Sequence, residues 1–119
     1  MLNESLEKIV QNTPGAAGAI LMGFDGIAVM QYVSPEFEGI DIESTAMEFS
    51  FRYVELRQAA ESLQMGKVTD ITIRADKRSV LCRVLSDEYF VAIVLADPSH
   101  IGKGRWMLRS TAHELQTEL

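Results

Sequence analysis

The sequence predicts an α+β fold of three helices and five strands in the order αββαβββα. Three segments repeat apolar residues at the spacing of a helix, and five shorter segments are either apolar throughout or alternate with the period of a strand. Residues typical of turns separate these segments. At 119 residues the chain is long enough for one hydrophobic core, and we therefore expect a single domain spanning residues 1–119.

A short helix and a hairpin are predicted at the start of the chain. The apolar spacing between Leu2 and Val10 is helical, and Pro14-Gly15 ends it. Two apolar strands follow, Ala16–Met22 and Ile27–Val33. The segment between them, Gly23-Phe24-Asp25-Gly26, predicts a tight turn, because an Asp-Gly pair tolerates the positive φ that such a turn requires.

The long second helix carries apolar residues on two sides. Asp41 is its predicted N-cap and Gly66 follows its predicted end near Gln64. One stripe suits the face of a sheet and consists of Ala46, Phe49, Tyr53, Leu56, Ala60 and Leu63. A second patch, Met47, Phe51 and Val54, lies nearly opposite. This patch either stays exposed, meets a loop or packs against a second copy of the chain.

The remaining segments complete the fold. Ile71 and Ile73 alternate with polar residues in a strand from Asp70 to Ala75, and a second alternating strand follows from Val80 to Leu85. Tyr89–Ala96 is almost continuously apolar, as expected for the centre of a sheet that is covered on both faces. The last helix is predicted from a stripe of Ile101, Leu108, Ala112, Leu115 and Leu119.

Composition and charge exclude several classes of function. The net charge of −6 repels phosphate backbones, and no basic stripe with aromatic residues offsets it, so nucleic acid is not an expected partner. No apolar run approaches the length of a membrane span, and the first residues do not resemble a signal peptide. We therefore expect a cytoplasmic protein without membrane insertion.

No residues form a recognisable catalytic, metal or cofactor motif. His100 and His113 lie away from other potential ligands and are expected on the surface. Cys82 alternates with apolar residues and is expected in the core. Gly102-Lys103-Gly104 lacks the rest of a phosphate-binding motif, so close helix packing is the favoured interpretation. We expect neither enzymatic activity nor a cofactor.

Two aromatic residues are candidates for protein contacts. Trp106 falls outside the apolar stripe of the last helix, and it either anchors a partner or lies under the first helix. Phe24 occupies a polar turn, where its ring either folds back onto Val33 or Tyr32, or contacts a partner together with Asp25 and Ile27.

The whole chain resembles the roadblock/LC7 family. The resemblance rests on the element order, the entry Pro14-Gly15-Ala16-Ala17-Gly18-Ala19, the hairpin Met22–Ile27 and the start of the last helix at Ile101-Gly102 with Arg105. Within the family it resembles the bacterial gliding and polarity regulators MglB and MglC, and the hairpin is more similar to MglC. It implies a profilin-like architecture, in which the second helix covers one face of a five-stranded antiparallel sheet and the first and last helices cover the other.

The resemblance also implies how the protein works. Family members form homodimers through the third strand and the second helix, which would place Met47, Phe51, Val54, Ile71, Thr72 and Ile73 at the dimer interface. MglC-like members are adaptors, and here Phe24, Asp25 and Ile27 would contact an MglB-like roadblock partner. That partner would connect the chain, directly or indirectly, to a Ras-like small GTPase of the MglA type and to polarity proteins.

Two other functions remain open at the level of sequence. The chain could itself activate the GTPase, as MglB-like members do without supplying a catalytic residue. Alternatively, a profilin-like or PAS-like sheet flanked by helices could enclose a cavity and sense a small ligand.

Overall fold

The computed structural model describes residues 1–119 and has the predicted order of helices and strands. The helices are α1 (Leu2–Gln11), α2 (Ile42–Ser62) and α3 (Ile101–Thr117). The strands are β1 (Ala16–Gly23), β2 (Ala28–Val33), β3 (Asp70–Arg74), β4 (Ser79–Val84) and β5 (Tyr89–Leu95). Short 3-10 helices, Pro35–Phe37 and Pro98–His100, lie in the connections that precede α2 and α3.

The five strands form one antiparallel sheet in the order β2-β1-β5-β4-β3. The apolar strand β5 is at its centre, as predicted, and six of its seven residues are buried. Strands β2 and β3 are the two edges. Since alternate strand residues point to opposite faces, the sheet separates two hydrophobic cores.

Helices cover both faces of the sheet, which confirms the predicted α+β architecture. On one face, Leu6 of α1 and Leu108 of α3 pack with Leu81 and Ile93 of the sheet. On the other face, Tyr53 of α2 belongs to a core that includes Ile20, Val80 and Phe90. The sheet is therefore buried between α2 on one side and α1 with α3 on the other.

Helix α2 begins as predicted but is rotated relative to the predicted stripe. The Asp41 carboxylate accepts a hydrogen bond of 2.9 Å from the backbone N–H of Ser44, and this bond lowers the pKa of Asp41. The fully buried positions are Ile42, Ala46, Ser50, Tyr53 and Ala60. Leu56 and Leu63, predicted to cover the sheet, are 48% and 71% exposed. The prediction for Leu56 and Leu63 was wrong, because the buried stripe of α2 runs through Ser50 instead. The Ser50 hydroxyl is buried, and it donates a hydrogen bond to the Met47 carbonyl.

Helix α3 approaches the sheet closely at Gly104. A Cβ atom at this position would lie 2.6 Å from Cδ1 of Leu81, so only glycine fits without displacing that side chain. The interpretation of this glycine as a close-packing residue is confirmed. The predicted stripe also holds for Leu108, Ala112 and Leu115, whereas Leu119 is 46% exposed at the end of the chain.

Candidate functional site

The turn between β1 and β2 forms at the predicted residues. The Gly23 N–H donates to the Ile27 carbonyl over 2.9 Å, and the Gly26 N–H donates to the Gly23 carbonyl over 2.9 Å. Gly26 has a φ of +86°, which a residue with a side chain rarely adopts. The Asp25 carboxylate accepts a hydrogen bond of 3.1 Å from the Ile27 N–H, so Asp25 stabilises the turn locally.

Phe24 is buried inside the chain, in contrast to its predicted contact with a partner. Phe24 is only 8% exposed. Its ring centroid lies 5.1 Å from that of Phe90, and the Arg57 guanidinium lies 4.1 Å from the centroid of the Phe24 ring. Phe24 shares the α2 face of the sheet with Ile20 and Met22. The ring is therefore covered by α2 and β5 rather than by Val33 or Tyr32, and it does not present a contact surface.

The other two predicted contact residues of the hairpin are accessible. Asp25 is exposed, and Ile27 is 66% exposed. Together with Val29, Glu88 and Tyr89 they border a shallow surface depression of about 280 Å³. An exposed isoleucine beside such a depression is suited to a protein contact.

Met47 and Phe51 of α2 lie directly beside this turn. A Cβ atom at Gly26 would lie 3.3 Å from Cγ of Met47 and 3.5 Å from Cζ of Phe51. The two side chains are 41% and 50% exposed. Asp25 and Ile27 of the turn, together with Met47 and Phe51 of the adjoining part of α2, are here called the hairpin surface. From the sequence, Asp25 and Ile27 were predicted to contact a partner, and Met47 and Phe51 were predicted to lie at the dimer interface.

The residues predicted for the dimer interface do not all lie together. Met47 and Phe51 contact the turn at the end of β1, whereas β3 is the opposite edge strand and is separated from β1 by β5 and β4. Thr72 is exposed, and Ile71 and Ile73 are half-buried against the core beneath α2. The outer edge of β3 has no partner strand within the chain.

Val54 is half-buried and also packs against this core. It borders a large polar cleft of about 1040 Å³ between the end of α2, β4 and the residues leading to β3. Arg57 lines this cleft and donates to the Asp87 carbonyl over 3.2 Å. This cleft is open to solvent, and side chains fill both faces of the sheet beneath the helices.

The single cysteine lies in the core, as predicted. Cys82 and Tyr53 are both buried, and burial raises the pKa of the thiol and of the phenol. Because both groups stay protonated and inaccessible, neither is suited to nucleophilic chemistry.

The structure has no group of three His, Cys, Asp or Glu side chains arranged to hold a metal ion. His100 and His113 are exposed, as predicted. None of the three helices combines the length and apolar character needed to cross a bilayer.

Trp106 lies at the surface of α3 and not beneath α1. Its residue is 50% exposed, and the Lys103 ammonium lies 5.0 Å from the ring centroid. Arg105 and Arg109 border the same groove as Trp106. The sequence pattern indicated the tryptophan as a contact residue but not Arg105 or Arg109, although their spacing from Gly102 along the helix places them on one side.

Comparison with known proteins identifies the family. A scan of protein-family models and a search of curated protein sequences both gave no match. Among solved structures, a roadblock/LC7 domain from Streptomyces avermitilis has the same fold, with a TM-score of 0.69, 18% identity, and coverage of 94% of this chain and 95% of that chain. MglC from Myxococcus xanthus is 33% identical over 99% of this chain and 98% of that chain, with a TM-score of 0.72. The chain belongs to the roadblock/LC7 family.

Within this family the chain is closer to MglC than to MglB. The gliding protein MglB from Thermus thermophilus aligns over 97% of this chain and 85% of that chain, with a TM-score of 0.86 but only 14% identity. The backbone therefore superposes better on MglB, whereas the sequence is more similar to MglC. We base the relationship on sequence, because identity as low as 14% shows a shared fold alone.

Proposed function

We propose that this roadblock/LC7 protein is a non-catalytic, homodimeric adaptor in a bacterial module built around a Ras-like GTPase of the MglA type. Its hairpin surface binds an MglB-like roadblock protein in the cytoplasm, and this contact connects the module to cell polarity and gliding motility.

The hairpin surface is the observation that carries this proposal. Ile27, Met47 and Phe51 are large apolar side chains that remain 41–66% exposed in the folded chain. They surround a turn whose backbone is held by three hydrogen bonds. A rigid turn loses little conformational freedom on binding, so burial of these side chains would contribute directly to affinity. The similarity to MglC supports the proposal that the partner is another protein of the roadblock group.

The dimer would form through the open edge of β3. An unpaired edge strand offers a row of backbone donors and acceptors to a second chain, and the half-buried Ile71 and Ile73 would become fully buried beside it. We assign Met47 and Phe51 to the partner surface, because they contact the hairpin and not this edge. The dimer contact and the partner contact would then use separate surfaces of the chain.

The experiment compares binding of hairpin variants to an MglB-like roadblock protein encoded by the same genome, measured by isothermal titration calorimetry. Ile27→Glu places a charge on the 66%-exposed side chain and is expected to weaken binding by at least about tenfold, since burial of an isoleucine contributes roughly 1.5–3 kcal/mol. Phe51→Glu is expected to have a similar effect and to leave the dimer intact. Asp25→Asn keeps the acceptor for the Ile27 N–H and tests the charge alone.

The matched control is Met65→Glu, which changes a methionine that is 73% exposed and lies after α2. Unchanged binding by a folded Ile27→Glu protein would remove the hairpin from the proposed interface. If Phe51→Glu dissociates the dimer, Phe51 belongs to the dimer interface and not to the partner surface. Faster GTP hydrolysis upon addition of this chain alone to the GTPase would favour the direct activator over the adaptor.

A further inference from the structure

The charges of the chain are unevenly distributed along the sequence. Residues 1–66 contain ten of the seventeen acidic residues and three of the eleven basic residues. Residues 67–109, from the start of the β3 connection to the middle of α3, contain eight of the basic residues and five of the acidic ones. A protein with a net charge of −6 therefore has one region with an excess of positive charge.

Part of this positive region forms a groove between α3 and the β3–β4 edge of the sheet. The groove has a volume of about 370 Å³. Its residues from α3 are Gly102, Arg105, Trp106, Leu108 and Arg109, and its residues from the strands are Asp70, Thr72, Leu81, Cys82 and Arg83. Three arginines and one carboxylate thus line this groove.

The single carboxylate forms an ion pair with only one of these arginines. Arg105 donates to the Asp70 carboxylate over 3.1 Å, and hydrogen bonds from Thr69 and Arg105 lower the pKa of Asp70. Arg83 and Arg109 form no ion pair within the chain, although Arg83 lies opposite Asp70 in the β3–β4 pair and its charge also lowers the pKa of Asp70. Arg109 is therefore the guanidinium that remains fully available for an external carboxylate, which can bind such a group through two parallel hydrogen bonds.

Trp106 adds an apolar contact beside these charges. Its ring is 50% exposed, and the Lys103 ammonium lies near the ring. Tryptophan and arginine are the residues most enriched where protein interfaces derive their affinity. The combination suits a ligand that carries carboxylates next to an apolar side chain.

We propose that the groove formed by Arg83, Arg105, Trp106 and Arg109 binds an acidic segment of a partner protein, with carboxylates on the arginines and one apolar side chain on Trp106. This site is distinct from the hairpin surface, which lies at the other end of the sheet. The proposal does not depend on the identity of the protein that binds the hairpin.

The shape and the total charge favour a peptide over other anions. The groove is concave, which suits a peptide better than the flat surface of a bilayer. The ten acidic residues of the first part of the chain would repel an extended anionic surface such as a bilayer or a nucleic acid. A short peptide avoids this repulsion, because it contacts only the groove and the remaining charges are screened beyond about 10 Å.

Trp106 is the only tryptophan of the chain, so its fluorescence reports directly on this groove. The probe is a peptide of about eight residues with both termini capped, long enough when extended to span the groove, in which Asp and Glu surround a central Leu. We expect a saturable blue shift of the Trp106 emission, which weakens as salt is added. A peptide with Lys in place of Asp and Glu is expected to give no shift.

Arg109→Glu is the test variant, and it is expected to weaken binding by about tenfold, as for the loss of one hydrogen bond between charged groups. Arg52→Glu is the matched control, since it makes the same charge change at an exposed position of α2, on the opposite face of the sheet. Trp106→Phe is measured by anisotropy of a fluorescein-labelled peptide and is also expected to weaken binding.

Three results would overturn the proposal. The first is no response to the acidic peptide at low salt. The second is an equal loss of affinity in Arg52→Glu and Arg109→Glu, which would indicate attraction without a site. The third is a stronger response to vesicles containing anionic lipid than to the peptide. Ile27→Glu is expected to bind the peptide normally, so failure of the hairpin proposal would be seen separately.

Discussion

At the scale of single residues, Phe24 joins the hairpin to the rest of the fold. Its ring lies between Phe90 of β5 and the Arg57 guanidinium of α2. Arg57 also bonds the Asp87 carbonyl in the turn between β4 and β5. One aromatic ring and one arginine therefore hold the hairpin, α2 and a second turn in fixed relative positions, which keeps Asp25 and Ile27 presented at the surface.

We predict that Phe24→Ala destabilises the protein by about 3 kcal/mol, because it removes a buried ring and leaves a cavity. Phe24→Leu is the conservative control and is expected to cost less than about 1.5 kcal/mol. Urea unfolding followed by circular dichroism measures both. A Phe24→Ala protein with unchanged stability and lost partner binding would show that the ring acts at the interface and not in the core.

The sequence predicted this hairpin but did not show which residues pack on the Phe24 ring. The Asp-Gly pair and the flanking apolar runs depend on local chemistry, so the turn was predictable. The cover of Phe24 comes from Arg57 and Phe90, which are more than thirty residues away in the chain. A separation of more than twenty residues also hid the closeness of Gly26 to Met47 and Phe51, since helical spacing shows which side of α2 is apolar but not what lies beside it.

At the scale of elements, α2 has more apolar residues than the sheet can cover. Leu56 and Leu63 remain exposed together with Met47 and Phe51, so apolar side chains lie along both flanks of the buried stripe. The predicted stripe was partly wrong because Ser50 is buried in place of a larger apolar residue. A hydrophobic pattern alone therefore does not determine the rotation of this helix about its axis.

The two edge strands provide a test of the proposed dimer. We predict that backbone amides of β3 exchange hydrogen more slowly as protein concentration rises, because a second copy would bond to the open edge. Amides of β2, the other edge, are the internal control and should exchange at a rate that does not depend on concentration. Hydrogen–deuterium exchange with mass spectrometry measures both strands in one sample. If β2 and not β3 becomes protected, the dimer contact lies at β2 and the proposed interface is incorrect.

At the scale of the whole molecule, the two proposed binding surfaces lie at opposite ends of one rigid sheet. The hairpin surface adjoins the β1–β2 end, and the groove adjoins the β3–β4 edge. They also differ in chemistry, because the first is apolar and the second is basic with one tryptophan. A small protein with this arrangement could hold two different partners at once, which is the property that an adaptor needs.

We therefore predict that the acidic peptide and the MglB-like roadblock protein bind at the same time. The fold has packed cores on both faces of the sheet, and the two surfaces share no residue, so neither ligand should block the other. Titration of the fluorescein-labelled peptide, followed by anisotropy, should give an affinity within about twofold with and without saturating partner, because independent sites have no coupling free energy. The Ile27→Glu variant is the control, because it should bind the peptide but not the MglB-like protein. Displacement of the peptide by the partner would mean that both ligands use one surface, and the chain would then be a site of competition rather than an adaptor.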